Sequence, residues 1–336
     1  MKIAFLAAVP FSLIFGGGET QLINTMSALR KKGAHVDYFD HWDRNFTCDI
    51  LHIFGCHYWA YHFAMLAKAK GIRIALSTIS YNPDPGVMYT LWQYVDPFIP
   101  VDTTFRLNRK LTAIADVVLP NSHAEAAYLE KYFRVEKSRT RVIPNATDLR
   151  YATARPEPFV EKYGLTDFVL CVGKIEPRKN QLNLVKALAG TGVKLVLIGS
   201  AIPQKVDYYN KVLDLVSSEE NFYHIESLPH DSDLLASAYA AAKVHALLGE
   251  NETPGIVNLE AGLAGANLVV AECPPVREYL GDHAFYCDGN SLDDIRRVIS
   301  RALDRARTAT TREFIVKNYT WEIAAERTLD AYKTLL

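Results

Sequence analysis

Phe168-Val-Leu-Cys-Val-Gly173-Lys174-Ile-Glu-Pro-Arg178-Lys179-Asn180 is the stretch from which the fold can be read. Five apolar residues stop at a glycine, a basic loop follows, and an amphipathic pattern opens at Asn180. An apolar run without polar alternation is the mark of a strand covered on both faces. With the helical pattern behind it, the stretch is one strand–loop–helix unit, the building block of a parallel sheet. The scheme recurs on either side. Strands are expected at Lys2–Ala7, His35–Tyr38, Ile50–Phe54, Ile72–Ser77, Val117–Leu119 and Arg141–Ile143. Further on they are expected at Lys194–Ile198, Phe222–Ile225, Val244–Leu248, Leu268–Ala271 and Phe285–Cys287. Helical patterns lie between them, among them Thr20–Lys32, His123–Tyr132, Asn180–Ala189, Asp207–Ser217, Ser232–Ala242, Gly255–Ala264 and Leu292–Leu303.

At 336 residues the chain is too long for one ordinary core. The fold class is therefore α/β, with two doubly wound Rossmann-like domains facing a cleft, one over residues 1–150 and one over 160–315. The polar, proline-bearing stretch Asn145–Thr166 reads as the linker. The C-terminal helix, within 320–336, can be added to the first domain. Ligands of such sheets bind beyond the carboxyl ends of the strands.

Composition narrows the function classes. Hydrophobic residues make up 49% and charged residues 22%, and the net charge is −1. No global field draws nucleic acid, and no nucleic-acid partner is expected. The basic runs Arg30–Lys32 and Arg106–Lys110 read most simply as solvated helix faces. Five cysteines without paired spacing fit neither a disulfide framework nor a zinc site, and a reducing cytoplasm suits them. The N-terminal run MKIAFLAAVPFSLIF is superficially like a signal peptide. Pro10 and Ser12 interrupt it, no cleavage site follows, and it leads into Gly16-Gly17-Gly18, so it reads as a first strand and loop. No apolar run is long enough to cross a bilayer.

Candidate chemistry gathers at three loops. In Glu250-Asn-Glu252-Thr253-Pro254-Gly255-Ile256-Val257-Asn-Leu-Glu260, Thr253 is expected as N-cap and Pro254 at the first helical position. Gly255 and Ile256 would then offer backbone N–H groups and a helix dipole to an anion such as a diphosphate. Glu260 lies six residues past Pro254, roughly 9 Å along the helix. Glu252 is placed for the hydroxyls of a sugar and Glu260 for those of a ribose, with the diphosphate between. The plainer reading is a loop glutamate and an exposed helix glutamate. The otherwise apolar helix argues against it, since a carboxylate there is costly unless paired or used. In the opening stretch, Lys174, Arg178 and Lys179 put cations at the same sheet edge, suited to a departing phosphate. An ordinary basic loop is the alternative. The third loop, Phe15-Gly16-Gly17-Gly18-Glu19, would let backbone N–H groups face a diphosphate. It does not match GxGxxG, so a dinucleotide fingerprint is absent.

Together these motifs resemble the retaining glycosyltransferases of family four, the group 1 glycosyl transferases with GT-B architecture. The likeness is strongest from about residue 116 to 280. Glu252 through Glu260 matches the family's E-x7-E motif, Gly173 to Asn180 its basic loop, and Val142-Ile-Pro-Asn145-Ala-Thr-Asp148 its linker signature. Leu234–Leu248 and Asp116–Ser122 resemble its flanking segments. The resemblance implies that Glu252 contacts the donor sugar, Gly255 and Ile256 the phosphates, Glu260 the ribose, and Lys179 the diphosphate, with Thr253 and Val257 also in the donor site. It further implies that Gly17 and Gly18 close over the donor and that the base lies near Glu226, Ser227 and Leu228. Lys174 stands where the family usually has arginine, which keeps the charge and loses the bidentate fork, so Arg178 is expected to share that work. Thr78-Ile79-Ser80-Tyr81 stands where the family often has a Thr-x-His pattern. His57 and His62 are candidates to assist there, with helix-surface positions as the simpler reading for both.

The implied activity is transfer of a hexose from a nucleotide-sugar, first UDP-glucose and next GDP-mannose, to a glycan or lipid-linked acceptor. Configuration would be retained, with Lys179 and Glu252 as catalytic residues and with neither cofactor nor metal. Asp231-Ser-Asp233 imitates a metal-binding triplet, but helix capping explains it. Location would be cytoplasmic, with weak peripheral membrane contact through Arg106–Lys110. The rivals are a sugar-binding protein without chemistry, a GT-B epimerase or phosphorylase, and an NAD-dependent enzyme.

Overall fold

A computed structural model of the chain describes residues 1–7, 16–82, 86–249, 252–253 and 255–335. Two compact units form, Met1–Ala146 with Trp321–Leu336, and Thr147–Thr320.

The first unit runs β1 (Lys2–Leu6), α1 (Gly17–Lys31), β2 (His35–Tyr38), β3 (Ile50–Phe54), α2 (Ala60–Ala69), β4 (Arg73–Ser77), α3 (Gly86–Val95), α4 (Thr104–Ile114), β5 (Val117–Leu119) and α5 (His123–Phe133). Its strands form one parallel sheet in the order β2-β1-β3-β4-β5. The C-terminal helix Trp321–Lys333 completes this unit. Its Tyr332 is fully buried and holds Nδ1 of His52, on β3, through its hydroxyl at 2.6 Å, while His52 Nε2 meets Ser77 Oγ at 2.9 Å.

The second unit runs α6 (Glu157–Tyr163), β6 (Val169–Val172), α7 (Gln181–Leu188), β7 (Leu195–Ile198), α8 (Val206–Ser217), β8 (Phe222–Ile225), α9 (Asp233–Ala241), β9 (Val244–Leu247), α10 (Ile256–Ala264), β10 (Asn267–Ala271), α11 (Pro274–Leu280), β11 (Phe285–Cys287), α12 (Leu292–Asp304) and α13 (Thr310–Asn318). Its parallel sheet has the order β11-β10-β9-β6-β7-β8. Leu170 and Val172 of β6 join a core with α6, α9 and α10. Val169 and Cys171 join a separate core with α7, α8 and α12. Both faces of the strand are therefore apolar, which is why the sequence shows no alternation there.

The order reverses between β6 and β9: the chain builds outward through β7 and β8, then returns to the other side of β6. At such a switch point the loops leaving adjacent strands diverge and open a crevice. The loops in question are Gly173–Asn180 and Leu248–Gly255.

Two expectations fail here. Arg141–Ile143 is not a strand: an isolated bridge joins Thr140 to Val118, and the chain runs on beside β5 through Arg141 N to Val118 O at 3.0 Å and Ile143 N to Pro120 O at 2.9 Å. The stretch read as a linker, Asn145–Thr166, is folded instead. Pro156 is the N-cap of α6 and Pro158 sits in its first turn, where a missing N–H costs nothing. Tyr151 and Phe159 are fully buried in the second unit's core. The helices α3, α11 and α13 were not singled out in the sequence.

Candidate functional site

Past β6, the 3-10 turn Pro177–Lys179 carries Arg178 and Lys179, and left-handed Asn180 caps α7. The Asn180 amide donates to Gly289 O at 2.7 Å and to Leu248 O at 3.4 Å, tying this loop to the end of β9. Past β9, Gly249 permits close approach. A β-carbon there would lie 2.6 Å from Arg178 O and 2.9 Å from Glu252 Oε1.

Glu252 is 3% exposed and brings the basic loop's cations together. Its Oε1 meets Lys179 Nζ at 2.8 Å and Arg178 Nη1 at 3.0 Å. The other arm of Arg178 bonds Glu176 Oε1 at 2.9 Å. Sequence reading had assigned the glutamate to a sugar and the cations to a diphosphate as separate tasks. The structure makes them one ion cluster, with the cation pair offsetting the burial of the carboxylate. Lys174 is half-buried on the same loop, and its carbonyl accepts from Gln181 Nε2 at 2.9 Å.

The start of α10 differs from the expected cap. Gly255, not Thr253, is the N-cap residue, and the helix begins at Ile256. Glycine is required there because φ is +59° and a β-carbon would stand 2.9 Å from Leu247 Cδ2. The Gly255 N–H, expected to be open, donates to Thr253 O at 2.8 Å. The first-turn N–H groups left to face an anion are then those of Ile256 and Val257. Phe15, Glu250 and Pro254 lie outside the described residues.

One turn along, Glu260 is 1% exposed. Tyr239 OH donates to its Oε2 at 2.8 Å, and His230 Nε2 meets its Oε1 at 2.8 Å. Burial and the nearby Glu260 carboxylate push the Tyr239 and Tyr151 hydroxyls well above the usual phenol range. Arg150 stacks its guanidinium over the Tyr151 ring and donates to the Tyr151 hydroxyl at 2.7 Å. Glu252 does lie in a loop, as the plainer reading has it, but it is buried, and Glu260 is not on an exposed helix face. His230, Tyr239, Tyr151 and Arg150 were missed in the sequence. Each touches Glu260 or its partners only through the tertiary fold, from 21 to 110 positions away, with no local motif to announce it.

After β8, Glu226 and Ser227 are exposed and Leu228 is half-buried. This segment runs directly into His230, so it leads to the Glu260 side of the crevice. Ser232 caps α9, its side chain accepting from Leu235 N at 3.2 Å, as the capping reading of Asp231-Ser-Asp233 expects.

In the first unit, Gly17 and Gly18 form the first turn of α1. A β-carbon on Gly17 would meet nothing within 4 Å, and one on Gly18 only Ile79 Cδ1 at 3.9 Å, so packing within the unit demands neither glycine. Ile79 itself has φ +46°, strained for a β-branched residue. Buried Glu125 holds that turn, accepting from Thr78 Oγ1 at 2.5 Å and Ser80 N at 2.7 Å. His62 lies exposed on α2, but His57 is in the loop after β3 and not on a helix. Burial lowers the His57 pKa, opposed by the nearby Glu19 carboxylate.

Comparison with known proteins gives a consistent picture. Residues 158–320 match the model of the glycosyl transferases group 1, and residues 40–151 that of glycosyltransferase family 4. A D-inositol 3-phosphate glycosyltransferase of Rhodococcus opacus is 23% identical over 67% of this chain and 54% of its own length. The chain thus spans about half the length of the curated relatives of this type that it matches. The serotype-specific mannosyltransferase WbdA of Escherichia coli is 25% identical over 56% of this chain and 24% of its own. Among solved structures, Anabaena HepE in complex with UDP and glucose superposes with a TM-score of 0.79 at 17% identity, covering 99% of this chain and 100% of that one. At that identity the likeness speaks for the two-domain α/β fold alone.

Proposed function

This chain belongs to the group 1, family 4 glycosyltransferases, and from that premise we propose that it transfers a hexose from a nucleotide-sugar to a glycan or lipid-linked acceptor. The observation that carries the reading is the line of groups leading into and along α10: Glu252 with its two cations just before it, the Ile256 and Val257 N–H groups at its start, and buried Glu260 one turn on. Sugar, diphosphate and ribose laid in order meet hydroxyl-binding, anion-binding and hydroxyl-binding groups in the same order.

The chemistry follows from the charges. As the bond from the anomeric carbon to the phosphate oxygen breaks, negative charge grows on the leaving diphosphate. Lys179 and Arg178 then trade part of their pairing with Glu252 for that charge, so their stabilisation is greatest in the transition state. The acceptor oxygen bonds the anomeric carbon, and its proton passes to the departing phosphate oxygen on the same face, which retains configuration. No metal is needed in this scheme, and activity that vanished with a chelator would overturn that part. Truncation of Lys179 to alanine should lower kcat on the order of a hundredfold. Unchanged turnover in Lys179→Ala would remove Lys179 from the mechanism.

UDP-glucose is the first donor candidate, supported by the UDP and glucose in the HepE complex. GDP-mannose is the second, supported by the mannosyltransferase likeness. Calorimetry of the full chain with both nucleotide-sugars, with UDP and GDP, and with free glucose and mannose separates the readings. A transferase binds a nucleotide form, whereas a sugar-binding protein without chemistry prefers a free sugar. The acceptor is assigned to the first unit, with reaction at the cytoplasmic face of a membrane. Among the described residues no helix is long and apolar enough to cross one.

A further inference from the structure

We propose that His230 is a latch on Glu260, a positioning residue whose ring occupies the carboxylate that the donor ribose needs and must swing aside when the donor binds. This rests on the donor reading given above.

Access is the first ground. Glu260 keeps 1% of its side-chain surface, whereas the His230 ring that covers Oε1 keeps 36%. Its other partner, Tyr239, is fully buried, as is Tyr151 behind it. Among the described partners of Glu260 the exposed one is therefore His230, and a ribose hydroxyl reaches Oε1 by taking the place of its ring. The second ground is the mount. The His230 carbonyl accepts from an Arg150 guanidinium N–H and, at 3.4 Å, from Tyr151 OH. The backbone is pinned, and among the described residues the ring is joined to the buried network through Nε2. A rotation about the side-chain bonds releases Glu260 without moving the chain. Asp231 and Ser232 follow at once, with Ser232 committed to capping α9, so the pivot is bounded on both sides.

The test measures UDP-glucose and GDP-mannose binding to the full chain by calorimetry at one pH, for the intact chain, His230→Ala, His230→Asn and His230→Gln. His230→Ala uncovers Glu260 and should bind its donor roughly tenfold more tightly than the intact chain. His230→Asn, too short to cover Oε1 from the same backbone, should do the same, which decides the matter if His230→Ala folds poorly. His230→Gln keeps an N–H for Glu260 and should bind like the intact chain. An intact chain that binds donor while His230→Ala and His230→Asn bind it no more tightly overturns the latch and leaves the donor site standing. If the intact chain binds neither nucleotide-sugar, the donor reading falls and the latch with it.

Discussion

At the scale of single residues, the site is two buried carboxylates kept in place by different chemistry. Glu252 is offset by charge, Glu260 by two neutral-capable donors. The difference predicts different responses to truncation. Tyr239→Phe removes one hydroxyl and leaves Glu260 Oε2 without its donor in a site closed to water. The cost should be about 1–3 kcal/mol, read as a lower urea midpoint at unchanged slope. A variant as stable as the parent would mean that another group takes over Oε2. Gly249→Ala tests the Glu252 side. Its new methyl would sit 2.6 Å from Arg178 O, a backbone atom that cannot turn away. The loops must part, and Lys179 and Arg178 move with them. Loss of several kcal/mol of stability together with weaker nucleotide-sugar binding is expected, measured by thermal unfolding with and without donor.

At the scale of elements, what could be read from the sequence was what neighbours in sequence dictate. Phe168–Val172 and Lys194–Ile198 advertise strands because both faces meet a core, and β6 and β7 fall within them. The helix from Ile256 was legible from its apolar run. Its cap was misplaced because Thr253 and Pro254 imitate a standard start, while a backbone turn at Gly255 decides it. The prolines near residue 156 signalled a break and in fact begin a helix, since the same residue serves both purposes. Glu252 and Glu260 could be proposed from spacing. The pairing of Glu252 with Lys179 and Arg178 could not, because the loops after β6 and β9 meet only through strand order. Gly255→Ala follows from this element's geometry. A positive φ with Leu247 at 2.9 Å strains any β-carbon, and relief must tilt the first turn of α10. Donor affinity should fall more than overall stability, since the Ile256 and Val257 N–H groups lose their aim. A calorimetric affinity unchanged from the parent would exclude those N–H groups from phosphate binding.

At the scale of the whole molecule, each unit carries a fully buried histidine on an inner strand: His52 on β3 and His245 on β9. Burial pushes both pKa values down to about 3. In the unfolded chain an imidazole takes its proton near pH 6.5. Between those values the unfolded state binds protons that the folded state refuses. Stability is therefore full above about pH 6.5 and is lost as pH falls toward 3. The slope approaches about 1.4 kcal/mol per pH unit for each histidine. The two differ in what their rings do. His52 satisfies Tyr332 and Ser77, so replacing it leaves two buried hydroxyls without a partner. His245 lies beside Asn258 and edge-on to Tyr239. His245→Phe keeps a ring in that place and removes the proton acceptor. It removes two buried ring nitrogens that have no hydrogen-bond partner among the described residues, and it should flatten the acid limb by one histidine's share. Urea unfolding of the parent and His245→Phe from pH 7.5 to 5.0 reads this directly, as a stability difference that shifts in favour of the variant as pH falls. Parallel curves would show that His245 takes up its proton without unfolding, and the acid sensitivity of the second unit would then lie in its paired carboxylates.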